Sequence, residues 1–209
     1  MAKNLNPKCK ICRRAGRKLY LRGERCYSPK CSLIKRKYPP GFHGPRGRRQ
    51  TSEYGEILRE KQNLKNFYGL LEKQLKNYFL KAKKKKGNSA LIFLTFLEKR
   101  LDNVIYQTGF FISRKQIRQI INHGLVKVNG RKVKAPSYEV KVGELITFKK
   151  KESLLKEIQA NLEKKTKAVI PEWIYTDEKN FEIKILRMPE EKDLPKEFDI
   201  HLVLEFYGR

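Results

Sequence analysis

The chain has 209 residues, with 49 Lys+Arg against 22 Asp+Glu and a net charge of +27. That length holds one large domain or two smaller ones, and that charge opposes compaction and favours an anionic partner. No stretch approaches the roughly 18 apolar residues of a membrane span, and no apolar run follows Met1, so neither a membrane protein nor a signal peptide is expected.

Residues 1–50 hold 16 Lys/Arg against one acid, Glu24. All four cysteines lie inside this arm with the spacing C-x2-C-x13-C-x4-C: Cys9, Cys12, Cys26 and Cys31. Two tight thiol pairs separated by a short loop suit a tetrahedral metal site. A reducing cytosol disfavours disulfides instead. Zn2+ is the expected ion, and an iron–sulfur cluster takes the same four thiolates. Large apolar residues are few in the arm: Leu19, Tyr20, Leu21, Leu33 and Ile34. Metal binding, which supplies about 10–16 kcal/mol in small domains, would fill that deficit. Tyr38-Pro39-Pro40-Gly41 reads as a turn or extended linker, and residues 44–49 as an irregular basic strap.

Residues 51–99 read as helices. Ser52 is an N-cap candidate, with Ile57, Leu64, Phe67 and Tyr68 near a 3.6 period before Gly69. A second helix runs from about Leu71 to Lys85. Ser89 is read as the cap of a third, whose stripe of Leu94, Leu97, Leu101, Val104 and Ile105 ends at Gly109. Ser113 is read as the cap of the next, with Ile117, Ile120 and Ile121 on its apolar face. Arg114 and Arg118 share the other face, beside Lys115.

Val126-Lys127-Val128 alternates as a strand, and Asn129-Gly130 is a strong hairpin signal. Lys127, Asn129, Arg131, Lys132 and Lys134 decorate that hairpin. A basic helix beside a basic hairpin offers a curved cationic surface suited to A-form RNA, against the plainer reading of solvated lysines. Removing Arg114 or Arg118 is expected to weaken RNA binding with the fold intact. Leu145–Phe148 is a further strand, and a helix covers about Leu154–Lys164. Short strands are expected around Trp173–Tyr175, Phe181–Leu186 and Leu202–Tyr207. Residues 151–209 carry 11 Lys/Arg and 13 Asp/Glu, so the whole cationic surplus lies before them.

Other candidates read both ways. Lys83–Lys86 suit phosphates or a solvated helix end. Tyr20, Tyr27, Tyr38 and Phe42 suit base stacking or packing, and His123 base reading or a helix stop. His43 would be a metal ligand only if a cysteine were not. Glu178, Glu190 and Glu191 have no histidine, nucleophile or glycine-rich loop beside them, so no enzyme is expected.

In order along the chain, Arg100-Leu101-Asp102-Asn103-Val104-Ile105-Tyr106, Gly109-Phe110, Ser113-Arg114, Arg118-Gln119, His123-Gly124, Val128-Asn129-Gly130, Pro136-Ser137-Tyr138 and Gly143 resemble the S-four RNA-binding domain. Gly23-Glu24-Arg25-Cys26, Cys31, Tyr38-Pro39-Pro40-Gly41, His43-Gly44, Ser52-Glu53-Tyr54, Leu58-Arg59-Glu60-Lys61-Gln62 and Glu205-Phe206-Tyr207 extend the likeness over essentially the whole chain. The chain thus resembles the small-subunit ribosomal protein S-four family, in its bacterial, four-cysteine zinc-binding form. Ile117, Leu125 and Gly208 depart from residues frequent in that family.

The resemblance implies an α+β fold, a mostly helical domain with an inserted S-four module and an N-terminal metal-knuckle arm. The implied domains are the arm at 1–50, a helical domain at 51–99 completed by about 196–209, and an insert at 100–195 with the module at about 100–150. It implies a cytoplasmic, non-enzymatic constituent of the small ribosomal subunit that nucleates assembly on the 5′ domain of ribosomal RNA. Implied partners are that RNA, the fifth and third small-subunit proteins, and messenger RNA where it enters. Arg46, Arg48 and Arg49 match the family's basic strap near that point. The rivals are an RNA-modifying enzyme carrying the module and a zinc-finger DNA-binding regulator. The first lacks room for a catalytic domain. The second needs a recognition helix, and Lys10 to Arg25 contains glycines and no clear helical stripe.

Overall fold

The computed structural model describes residues 4–46, 51–163 and 170–208. The chain forms two units, Met1–Ala90 with Pro195–Arg209, and Leu91–Leu194. The sequence reading separated the helical domain from the insert at 99/100, and the two units part at 90/91.

In the first unit, the arm forms three short helices, α1 (Lys8–Ala15), α2 (Glu24–Tyr27) and α3 (Ser32–Lys35). Pro7 and Gly16 bound α1. Its eight residues, little more than two turns, are too few to show an apolar stripe, which is why the sequence hid it. Next come α4 (Glu53–Phe67) and α5 (Glu72–Lys83). Ser52 caps α4 by accepting from the Gly55 N–H at 3.3 Å. Ile57, Leu64, Tyr68 and Leu75 are buried, and full burial of each such side chain stabilises by about 1.5–3 kcal/mol.

The last segment, expected as a strand at Leu202–Tyr207, is instead helix α10 (Ile200–Gly208). Asp199 decides this: its Oδ1 accepts from the N–H groups of His201 (3.0 Å) and Leu202 (3.4 Å). Ile200 and Val203, three apart, are then buried on one face, and α10 packs on α4 and α5. An alternating apolar run too short to distinguish the two periods was overridden by a cap and a docking surface.

Two carboxylates fasten this unit. Glu60 receives the Arg17 guanidinium at 2.7 Å, the Asn63 amide at 3.2 Å and the Asp199 N–H at 3.3 Å, so it ties arm, α4 and α10 together. Glu72 receives Lys61 (2.8 Å), Lys65 (2.9 Å) and the Tyr207 hydroxyl (2.8 Å). Burial alone would raise the Glu72 carboxyl, but these hydrogen bonds hold it down to about 2, against an ordinary 4.5. A depressed carboxylate stabilises the fold above its unfolded value, and that contribution disappears as pH falls from about 4.5 to about 2. Acid unfolding curves are therefore expected to flatten in this window for Glu72→Gln; a variant slope equal to wild type would show that Glu72 contributes nothing there.

The second unit comprises α6 (Ser89–Glu98), α7 (Leu101–Gln107), α8 (Arg114–Asn122), β1 (Val126–Val128), β2 (Arg131–Val133), β3 (Leu145–Phe148), α9 (Glu152–Glu163), β4 (Ile174–Asp177) and β5 (Glu182–Ile185). Its antiparallel sheet has the order β2-β1-β3-β5-β4. Ser89 is the first residue of α6 rather than its cap; Asn88 Oδ1 accepts from the Ala90 N–H at 2.9 Å. The helix expected to run on to Gly109 breaks at Lys99–Arg100. There the loop before β3 takes the backbone partners: Leu101 N–H donates to Tyr138 O (2.9 Å), Asp102 N–H to Pro136 O (3.2 Å) and Val140 N–H to Lys99 O (2.9 Å). Leu101, Val104, Phe110, Ile117, Ile121, Val126, Ile146, Trp173 and Ile183 form one core.

Candidate nucleic-acid interface and cysteine cluster

The hairpin is set by its turn. Asn129 (φ 47°) and Gly130 (φ 76°) occupy the left-handed region that a two-residue turn requires. Val128 pairs with Arg131 and Lys127 with Lys132. Alternation buries Val126 and Val128 and leaves Lys127 exposed. Lys132 is exposed too, its stem lying so close over Gly124 that a Cβ there would come within 1.9 Å of it. Two lysines directly opposite each other repel, so this face carries unbalanced positive charge. Arg131, Lys134 and Lys115 are also exposed. Asn129 has a different place: its N–H donates to Leu145 O (2.8 Å) and its Oδ1 accepts from Leu145 N–H (2.9 Å). It pins the turn to β3.

Arg114 and Arg118 are turned inward. Arg118 Nε donates to Asp102 Oδ2 at 2.6 Å, and Arg100 grips both Asp102 oxygens at 3.0 Å. The Asp102 side chain is 1% exposed. Arg114 donates to Asn103 Oδ1 at 2.9 Å and lies 3.8 Å over the Tyr106 ring, while the Asn103 amide donates to Glu98 Oε2 at 2.7 Å. Ser113 stands at the N-cap of α8 but its side chain makes no capping bond; the two arginines lock the helix to α7 instead. The polar network of Glu98, Arg100, Asp102 and Asn103 escaped sequence reading, because those residues sit within an apolar helical stripe. The signal was an arginine two residues before an acid in such a stripe.

This geometry changes the expected effect of removing Arg118. Arg118→Ala leaves a buried carboxylate with one partner fewer, and should cost about 3 kcal/mol. Unfolding followed by the fluorescence of Trp173, the only tryptophan and wholly buried in this unit, measures it. A loss under about 1 kcal/mol would assign Arg118 to the surface rather than to this lock.

In the arm, Cys9, Cys12, Cys26 and Cys31 line one small cavity with Lys8, Leu21, Arg22, Arg25 and Ser32. All four thiols are free, and three are buried. Burial pushes the Cys12 and Cys26 thiols up, although the backbone N–H groups of Leu19 and Arg22 donate to their sulfurs. Burial also acts upward on Cys9, but hydrogen bonds from Ser32 and Arg22 and the charges of Arg22 and Arg25 bring it below its ordinary value. Among the described residues, no three His, Cys, Asp or Glu side chains stand close enough together to grip an ion as placed. The four sulfurs share a cavity without converging on one point. His43 is exposed and outside it.

Of the strap, Arg46 is exposed at the end of a 3₁₀ turn (Gly44–Arg46); Arg48 and Arg49 lie outside the described residues. Lys83–Lys86 are exposed. Tyr38 packs under Arg13, 4.9 Å away, and Tyr20 pairs with Tyr27 at 5.1 Å. His123 closes α8 and is exposed. Among the described residues, no helix is long and apolar enough to cross a membrane.

Residues 3–98 match the model of the Ribosomal protein S4/S9 N-terminal domain, and residues 99–146 match that of the S4 domain. Over 209 residues, all of both chains, the sequence is 46% identical to the small ribosomal subunit protein uS4 of Thermus thermophilus. It is 44% identical to that of Natranaerobius thermophilus and 43% identical to that of Caldicellulosiruptor saccharolyticus, again over the full length of each.

Proposed function

Because this chain belongs to the uS4 family of small ribosomal subunit proteins, we propose that it nucleates assembly on the 5′ domain of small-subunit ribosomal RNA. It is a structural constituent of the cytoplasmic small subunit, and its partners are ribosomal RNA and other small-subunit proteins. Its relatives are structural proteins of the ribosome rather than enzymes. Full-length likeness leaves the modifying-enzyme and DNA-regulator rivals without support. Among neighbours, the fifth and third small-subunit proteins and incoming messenger RNA are the expected ones, with Arg46, Arg48 and Arg49 towards the latter.

The observation that carries the RNA contact is the opposed, exposed lysine pair Lys127–Lys132, flanked along the hairpin by Arg131 and Lys134, with Lys115 exposed on α8. Distributed cations displace counterions from the phosphate backbone, and a rigid curved face selects an A-form junction by shape. Arg114, Arg118 and Asn129 serve this surface as positioning residues that fix α8 and the hairpin. Affinity for a 5′-domain RNA fragment is expected to exceed that for duplex DNA of equal length by tenfold or more at one salt concentration. Equal affinities would reduce the surface to a non-specific polycation.

The cysteines are proposed to hold a structural ion, Zn2+ in preference to an iron–sulfur cluster. Support comes from the all-thiol donor set around one cavity and from the Arg22 N–H, which donates to Cys26 Sγ at 3.3 Å. Bound there, the ion would supply cross-linking of α1, α2 and α3 and no open coordination position.

A further inference from the structure

Among the described residues of the arm, Phe42 is the most exposed large apolar side chain, ahead of Leu5. Phe42 is 90% exposed. The loop beneath it is rigidly built. Pro39 and Pro40 fix its approach, Arg13 donates to Tyr38 O (3.0 Å) and Pro39 O (3.1 Å), and Gly44 N–H closes a turn on Gly41 O at 3.1 Å. Gly44 passes so near Pro39 that a Cβ would lie 2.0 Å from its carbonyl oxygen. One side of the Phe42 ring meets the His43 ring edge-on, with centroids 5.4 Å apart and planes at 87°. The loop backbone is therefore held, while the ring itself projects with its packing limited to that one edge contact.

The surroundings name the chemistry of what covers it. Between Glu24 and Glu53 the chain has no acidic residue and eight Lys/Arg. Of these, Lys35, Arg36, Lys37 and Arg46 are exposed within a few residues of Phe42 along the chain. A cationic segment bearing an exposed ring repels a basic protein segment and suits a nucleic acid, whose phosphates meet the cations while a base meets the ring. We infer that Phe42 is a base-stacking platform for an unpaired nucleotide of the ribosomal RNA. This rests on the RNA-binding reading above. It adds to that reading a contact that is apolar and hence insensitive to salt. Pre-organisation matters here, since a loop backbone already held in place costs little ordering on binding.

The test compares the full-length protein with its Phe42→Ala, Phe42→Leu and Phe42→Trp variants on a 5′-domain RNA fragment, measuring affinity across a salt series. Phe42→Ala should weaken binding roughly 5- to 150-fold, with the slope of log affinity against log salt unchanged. Phe42→Leu should stay weakened, because it restores apolar bulk without a stacking face. Phe42→Trp should recover wild-type affinity within about twofold, its emission being quenched on binding as the indole stacks. Steeply salt-dependent binding that is equal in all four proteins would overturn the platform and leave RNA binding standing. Full rescue by leucine, or an unquenched tryptophan, would overturn it as well, pointing to a protein or other apolar partner. Salt-insensitive wild-type binding would remove both readings.

Discussion

Changing Lys127, Arg131 and Lys132 together to Glu is expected to weaken binding to a 5′-domain RNA fragment by about 10²–10³-fold at physiological salt. Each lost phosphate contact reduces the slope of log affinity against log salt by about 1, so the slope should fall by about 3. The substitutions are chosen to spare the fold. All three side chains are exposed, and the opposed pair stays like-charged, Glu facing Glu where Lys127 faces Lys132. Stability followed at Trp173 should therefore stay within about 0.5 kcal/mol of wild type. An unchanged affinity with an intact fold would take the hairpin out of the RNA surface. The contrast with Arg118→Ala is diagnostic, since that change should lower stability first, through Asp102.

The second large effect concerns the cysteines. Purified protein should carry one equivalent of zinc, removed by a strong chelator and absent from Cys12→Ser and Cys26→Ser. Metal binding of about 10–16 kcal/mol holds small thiolate sites folded, so amide exchange in residues 4–46 should accelerate by tenfold or more in either variant. Two anchors should survive the loss. Leu19 is 1% exposed and Arg17 is bonded to both Glu60 and the Glu197 carbonyl, so protection near them should fall least. Leu91–Leu194 should exchange as in wild type. A metal-free chain with full protection around Cys9 and Cys31 would mean that the thiols are merely buried. Iron absorbance in place of zinc would select the cluster.

Those two results bear on how far the residues alone revealed the molecule. Local, strongly signalled elements were legible: the Asn129-Gly130 turn, the Ser52 cap and the isoleucine face of α8 each follow from short-range chemistry. What escaped reading was decided from far along the chain. Whether 202–207 is strand or helix depends on Asp199 as a cap and on the surface of α4 and α5. The break at Arg100 depends on carbonyls some 36 to 38 residues later, at Pro136 and Tyr138. In the candidate site the same division holds. Cationic residue types marked the surface, but whether an arginine faces solvent or a buried acid is a tertiary fact. Arg114 and Arg118 face inward while Lys127 and Lys132 face outward. Phe42 was ambiguous for the same reason, as burial cannot be read from a ring between a glycine and a histidine.

Charge neutralisation on ribosomal RNA is tested most directly by the salt dependence of affinity. Full-length protein and a 5′-domain RNA fragment are titrated at 50 and 200 mM monovalent salt. If roughly 6–10 phosphates are contacted, affinity should fall by about 10³–10⁵ across that interval, borrowing the duplex scale. An affinity that changes by less than about tenfold would contradict binding through the distributed cations of Lys115, Lys127, Arg131, Lys132 and Lys134.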